Sequence, residues 1–353
     1  MAGNSFGTIF NITTFGESHG IGLGVIIDGC PSGIKISTGD IQKELDRRRP
    51  GQSEITTPRD EKDKVEIISG VFEGKTTGTP IAMIVYNKNQ KSKDYDKIKD
   101  LFRPGHADYT YYKKYNIRDY RGGGRASSRE TIGRVCAGAV ARKILELKHI
   151  HIYGYVKQVG PIKVEKINIE EIEQNSVRCP DNKKAEEMVN FILEARQKGN
   201  SIGGIVEIMI KGLPAGIGEP VFDKLNANLA KAILSIPAVK GIQFGAGFKV
   251  AEMYGSDVND EITKKGFLSN NAGGILGGIS TGQNIVFNFP VKPPSSILVP
   301  RKTIDKNGEE TTVITEGRHD PCVAPRVVPI AEAMSALVII DMILLDNSRK
   351  IFI

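Results

Sequence analysis

Two rhythms of apolar and polar positions run along this 353-residue chain. Short β-branched stretches bounded by glycine or proline recur at residues 8–15, 21–27, 65–71, 81–86, 205–210 and 284–289, which predicts strands. Apolar residues at helical spacing run over 40–48, 129–147, 183–197, 222–234 and 326–345. Strands and helices do not alternate strictly. The pattern therefore predicts an α+β layered architecture rather than repeated βα units.

The helix beginning near Arg129 has the clearest start, because Ser127-Ser-Arg-Glu130 has capping-box spacing. Its body, Ile132-Gly-Arg-Val-Cys-Ala-Gly-Ala-Val-Ala141, is rich in small residues, which predicts close packing between layers. The most apolar stretch, 327–345, contains Pro329, Glu332 and Asp341 and reads as a buried helix rather than a membrane span. The first fifteen residues lack the basic and apolar regions of a secretory signal.

Two pairs of segments resemble one another. Ile27-Asp-Gly-Cys-Pro-Ser-Gly-Ile34 matches Ile210-Lys-Gly-Leu-Pro-Ala-Gly-Ile217, and Gly70-Val-Phe-Glu-Gly-Lys-Thr-Thr-Gly78 matches Gly274-Ile-Leu-Gly-Gly-Ile-Ser-Thr-Gly282. They occur in the same order. Either glycine turns coincide, or one domain spanning 1–353 arose by internal duplication into similar halves of about 1–150 and 151–353, with a site between them. Polar segments at 87–100 and 301–312 are candidates for lids or for plain connections.

Composition adds limits. With 48 Lys and Arg against 41 Asp and Glu, the net charge is +7, and 40% of residues are hydrophobic, so the chain is globular rather than disordered. Its scattered basic excess does not call for nucleic acid and suits small anionic substrates. Cys30, Cys136, Cys179 and Cys322 lie far apart without metal-ligand spacing, which predicts no metal site and reduced thiols in a cytoplasmic protein.

Two motifs mislead. Gly16-Glu-Ser-His-Gly20 fits the nucleophile elbow of hydrolases, but an elbow turns from strand to helix and the following residues read as another strand. Gly70 to Thr76 approximates a phosphate-binding loop but is one residue short between its glycines, so turn glycines of a hairpin fit better. No strand is followed by GxGxxG.

Three histidines remain in glycine- or arginine-rich surroundings: His19, His106 in Arg103-Pro-Gly-His, and His319 in Gly317-Arg-His-Asp320. His149 and His151 read as surface residues at a strand start. Arg47-Arg-Arg-Pro-Gly51 ends a predicted helix, where cations complement the dipole. Arg121-Gly-Gly-Gly-Arg125 leads into a helix N-terminus, where Arg125, Ser127, Ser128 and free amides are candidates for an anion site.

These blocks resemble the chorismate synthase family along nearly the whole chain. The resemblance rests on Thr14-Phe-Gly-Glu-Ser-His-Gly20, Asp46-Arg-Arg-Arg-Pro-Gly51, Phe102-Arg-Pro-Gly-His-Ala-Asp108, Arg118-Asp-Tyr-Arg-Gly-Gly-Gly-Arg125, Gly273-Gly-Ile-Leu-Gly-Gly278 and Gly317-Arg-His-Asp-Pro-Cys322. It implies a β-α-β sandwich with helices between antiparallel sheets, a homotetramer, and anti 1,4-elimination of phosphate from 5-enolpyruvylshikimate 3-phosphate with reduced FMN and no net redox change. The alternative from another class is a flavin- or phosphate-binding protein without elimination activity.

The resemblance carries roles to particular residues. His19 would assist phosphate departure, His106 would exchange a proton beside the flavin, and Asp320 would act through the flavin in removing the substrate proton. FMN contacts fall on Arg125, Ala126, Ser127, Pro237, Ala238, Gly277, Lys292, Pro293, Pro294, Ser295, Ser296 and Arg318. Arg48, Arg49, Arg103, Arg125, Arg129, Arg134 and Arg318 are candidates to balance the substrate and cofactor anions. Ala126 replaces a serine frequent in the family. Glu54 stands where many relatives carry an arginine associated with NADPH, which implies a separate flavin reductase as electron source.

Overall fold

The computed structural model describes residues 3–57, 61–88, 98–315 and 319–350. Its helices include α1 (Thr38–Arg48), α2 (Asp108–Tyr115), α3 (Thr131–Glu146), α4 (Asn182–Gln197), α5 (Leu225–Leu234), α6 (Gly255–Val258) and α7 (Ala324–Ser348). Two five-stranded sheets accompany them. The first runs Ser5–Phe6, Asn11–Gly16, Gly22–Asp28, Ile81–Tyr86, Val65–Ile67. The second runs Ile162–Lys163, His151–Val159, Gly204–Lys211, Ile285–Val291, Gln243–Phe244. Every pairing in both is antiparallel.

Alternation places one face of each sheet in the core, through Leu23, Val25, Ile27, Ile81, Met83 and Val85 in the first and Val206, Ile208, Ile210, Ile285, Phe287 and Phe289 in the second. Helix α3 packs on the first sheet, α7 on the second, and the two helices pack on each other. Small residues permit that approach: a Cβ on Gly138 would lie 2.3 Å from the Ala333 Cβ, and one on Gly133 would lie 2.9 Å from the Gly24 carbonyl oxygen. Helix α7 is long and apolar enough to cross a membrane, but 94% of its most apolar window is buried inside the protein, as expected for a core helix.

The similar segments make equivalent bonds. Thr76 Oγ1 donates to the Pro31 carbonyl at 2.6 Å and accepts from Ile34 N at 3.0 Å. Ser280 Oγ donates to the Pro214 carbonyl at 2.6 Å and accepts from Ile217 N at 2.9 Å. Each hydroxyl residue belongs to a two-residue hairpin turned by consecutive left-handed residues, Glu73 and Gly74 in one and Gly277 and Gly278 in the other. The Gly70 segment is thus a hairpin, and Gly16-Glu-Ser-His-Gly20 likewise joins two strands without an elbow.

Some elements depart from expectation. The region predicted as one strand over 65–71 divides into Val65–Ile67 and the start of the hairpin at Val71–Phe72. No capping box forms at Ser127: two 3-10 turns precede α3, Ser127 Oγ accepts from Arg129 N at 3.4 Å, and the Glu130 carboxylate instead receives Thr14 Oγ1 and Arg134 Nε. Helix α2 was absent from the predicted elements. His149 and His151 are exposed, as expected.

Candidate active site

The Gly-Glu-Ser-His turn, the end of α1, the triglycine turn, the segment before α2, residues 236–240 and 292–296, and the start of α7 surround one cavity of ≈ 530 Å³. His19, His106 and Asp320 line it with Arg48, Arg103, Arg129, Lys240 and Lys292. The chain thereby brings together residues separated by as much as 300 positions.

The triglycine turn sets the histidines. Gly122 has φ 67° and Gly123 φ 94°, values open to glycine at little cost. A Cβ on Gly122 would lie 2.5 Å from the His19 ring, and one on Gly123 would lie 3.1 Å from His106 Cε1. Both imidazoles are therefore packed by bare backbone. His106 Nδ1 lies 3.0 Å from Asp108 Oδ1; because a carboxylate only accepts, Nδ1 carries the proton and Nε2 is left for exchange. Burial pushes the Asp108 carboxyl up, but hydrogen bonds from Arg103 and His106 outweigh it and hold it well below the usual carboxylate range. Arg103 forks onto that carboxylate at 2.7 and 2.9 Å.

Asp320 is fixed from two sides. Thr57 N donates to Oδ1 at 2.9 Å, and the Arg326 guanidinium from α7 pairs with Oδ2. Arg326 Nε also donates to the Arg48 carbonyl at the end of α1, at 3.2 Å. Arg48 itself is only 1% exposed; burial pulls its guanidinium down to about 10 against the opposing pull of Asp63, so it remains charged at neutral pH. Burial, then Lys240, lowers the Lys292 ammonium below the ordinary lysine value.

The lining also includes an apolar set: Ile236, Pro237, Ala238, Val323, Val327 and Ile330. Ala126, Ser127, Pro294, Ser295 and Ser296 also face it, and the Ser18 hydroxyl is buried there without a hydrogen-bond partner among the described residues.

Other sequence candidates lie elsewhere. The Arg125 guanidinium turns onto the first sheet, donating to Gly16 O at 3.1 Å and Thr14 Oγ1 at 2.7 Å, because its strand neighbours supply acceptors on that side. Arg134 is held by Glu130 at 3.0 Å and Ser235 at 2.6 Å. Arg49, the residue after α1, faces a separate cleft with Lys62 and Lys64. Gly277 turns its hairpin, and Pro293 packs near Gly203 rather than lining the cavity. Arg318 lies outside the described residues. Sequence reasoning missed Thr57, Asp63, Lys240, Arg326 and the apolar wall of α7; helical spacing marked that wall only as core.

A cavity that sets two histidines and a held carboxylate among arginines fits an enzyme acting on a small polyanion. The chorismate synthase family model matches residues 10–344. A solved crystal structure of a chorismate synthase is 33% identical, with 95% of this chain and 91% of that one covered and a TM-score of 0.76. The chain belongs to the chorismate synthase family.

Proposed function

We propose that this cavity converts 5-enolpyruvylshikimate 3-phosphate into chorismate and inorganic phosphate, with FMN bound in its reduced form. The observation that carries the reading is the convergence of His19, His106 and Asp320 on one cavity with Arg48, Arg103 and Arg129. In a 1,4-elimination one C–H bond and the allylic C–O bond to phosphate break while the double bonds rearrange, so the reaction needs a proton acceptor, anion stabilisation and no external oxidant.

The cavity fits a flavin mononucleotide. Its apolar wall suits a planar ring, while Ser127, Ser295, Ser296 and Lys292 offer partners for a ribityl phosphate, and the unpartnered Ser18 hydroxyl marks a place for a ligand's polar atom. When bound and reduced, the flavin supplies transient electron density that weakens the allylic C–O bond, chemistry no side chain provides. His19 protonates the departing phosphate. His106, oriented through Nδ1 by Asp108, stores a proton on Nε2. Asp320, held by Thr57 and Arg326, would take up the proton lost by the substrate. Arg48, Arg103 and Arg129 offset the substrate charges, which would otherwise repel one another in a partly desolvated cavity.

Paired hydrogen bonds and a strand order that matches over four of the five strands of each sheet support a layered fold built by duplication, as one domain with its site between the halves. The outer face of the first sheet leaves Phe15, Ile26 and Tyr86 exposed, which supports assembly into a homotetramer. Glu54 lies outside the cavity lining and would oppose the extra phosphate of NADPH, which favours a separate reductase. Anaerobic incubation with photoreduced FMN and the substrate tests the reading: phosphate and chorismate are expected in equal amounts, and flavin binding without phosphate release would refute it. With FMN and NADPH in air and no reductase, no turnover is expected; sustained turnover would overturn the monofunctional assignment.

A further inference from the structure

Two of the cavity arginines, Arg48 at the end of α1 and Arg129 before α3, come from segments far apart in the chain, yet one buried side chain touches both. Asp63 Oδ2 accepts from Arg48 NH2 at 3.2 Å, and Asp63 Oδ1 accepts from Arg129 NH2 at 3.1 Å. All three side chains are buried. Arg48 and Arg129 line the cavity and Asp63 does not, so the carboxylate holds them from behind.

We infer that Asp63 is a positioning residue that fixes the spacing of Arg48 and Arg129 and so sets how tightly the cavity reads a polyanionic substrate.

The inference rests on the proposed reading of those arginines as substrate ligands. A carboxylate has two oxygens in one plane, and here each takes a different guanidinium, so the distance between the two cations is fixed by one rigid group. Other contacts leave fewer degrees of freedom. Arg48 NH1 reaches Thr131 Oγ1 at 3.3 Å, Arg129 Nε donates to Asn87 Oδ1 at 3.0 Å, and Glu61 pairs with Arg129 NH1. The backbone of Asp63 is itself held at φ 40°, in the left-handed region that aspartate tolerates better than most residues. A flexible surface pair would not need that conformation.

The test uses the full-length enzyme with reduced FMN and 5-enolpyruvylshikimate 3-phosphate. Asp63→Asn keeps the shape, removes the charge and leaves only one oxygen to accept. Its KM is expected to rise roughly tenfold, the equivalent of one misplaced charge-assisted contact, with FMN affinity unchanged and kcat less affected. In a double-mutant cycle the KM effects of Asp63→Asn and Arg48→Lys are expected to be non-additive, because the first acts through the second. An unchanged KM, additive effects, or a lower KM from two unleashed positive charges would each overturn the inference. Should the asparagine variant fail to fold, Asp63→Glu keeps the charge and displaces both oxygens; a raised KM is again expected, and a wild-type KM would overturn the role. Arg48→Lys and Arg129→Lys alone separate the two levels: if neither raises KM, the reading of these arginines as substrate ligands fails, and the positioning role falls with it.

Discussion

The cavity's two walls come from segments of like topology but unlike chemistry. The N-terminal half lines it with His19, Arg48, Arg103, His106 and Arg129, while the C-terminal half contributes Ile236, Pro237, Val323, Val327 and Ile330 together with Lys240, Lys292, His319, Asp320 and Arg326. Each half runs an antiparallel strand pair, a helix, a hairpin locked by a buried hydroxyl, a further strand and a long core helix, with α4 inserted between the paired strands in the C-terminal half. The scaffold bonds are alike in the two halves, and the site-lining positions differ. Packing and hydrogen-bond satisfaction constrain the former wherever the chain must fold, whereas the latter answer to whatever lies between the helices. A charged wall suits the phosphate and carboxylates of the substrate, and an apolar one suits a flavin ring.

The largest expected effects break the division of labour at its reacting groups. His19→Ala and His106→Ala from the N-terminal half, and Asp320→Asn from the C-terminal half, should each lower kcat by about 10²–10⁴-fold, the usual worth of a placed proton-transfer group. Stopped-flow turnover with reduced FMN measures this, and near-normal turnover would remove that residue from the chemistry. A smaller effect sharpens the scaffold half of the comparison. Thr76→Val and Ser280→Ala each strand a carbonyl and an amide, so each should cost about 1–3 kcal/mol in denaturant unfolding without changing substrate KM. A large loss in one and none in the other would mean that the two turns are not equivalent. The smallest effect concerns Lys292. Its lowered pKa means that it sheds its proton at a lower pH than an ordinary lysine, while a bound phosphate favours the charged form. FMN affinity should therefore fall as pH rises through that lowered value, and Lys292→Met should flatten the alkaline limb of a fluorescence titration.

The core elements were legible because their periodicity is strong: α3, α7 and the central strands were all anticipated, and the small residues of α3 meet the backbones that they were expected to meet. Helix α2 was not, because Asp108-Tyr-Thr-Tyr-Tyr-Lys-Lys-Tyr115 is rich in tyrosine on several faces and Ala107 provides no side-chain cap. His19, His106 and Asp320 stood out through glycine-rich surroundings that expose backbone. Asp63 carried no such signal, since its partners lie 15 and 66 residues away and only the tertiary fold joins them. Arg125 shows the reverse case: a triglycine turn and a helix start drew attention to its guanidinium, but acceptors on the neighbouring strand turn it away.

Crossed titrations of one variant from each wall test the division most directly. Arg48→Lys should raise substrate KM while leaving the dissociation constant of oxidised FMN within about twofold, and Ile330→Ala, which removes apolar contact from the C-terminal half's lining, should weaken FMN by about tenfold with little direct effect on substrate affinity at saturating flavin. If Arg48→Lys weakens FMN as much as it weakens substrate, or if Ile330→Ala leaves FMN affinity untouched, the two walls do not divide the ligands between them.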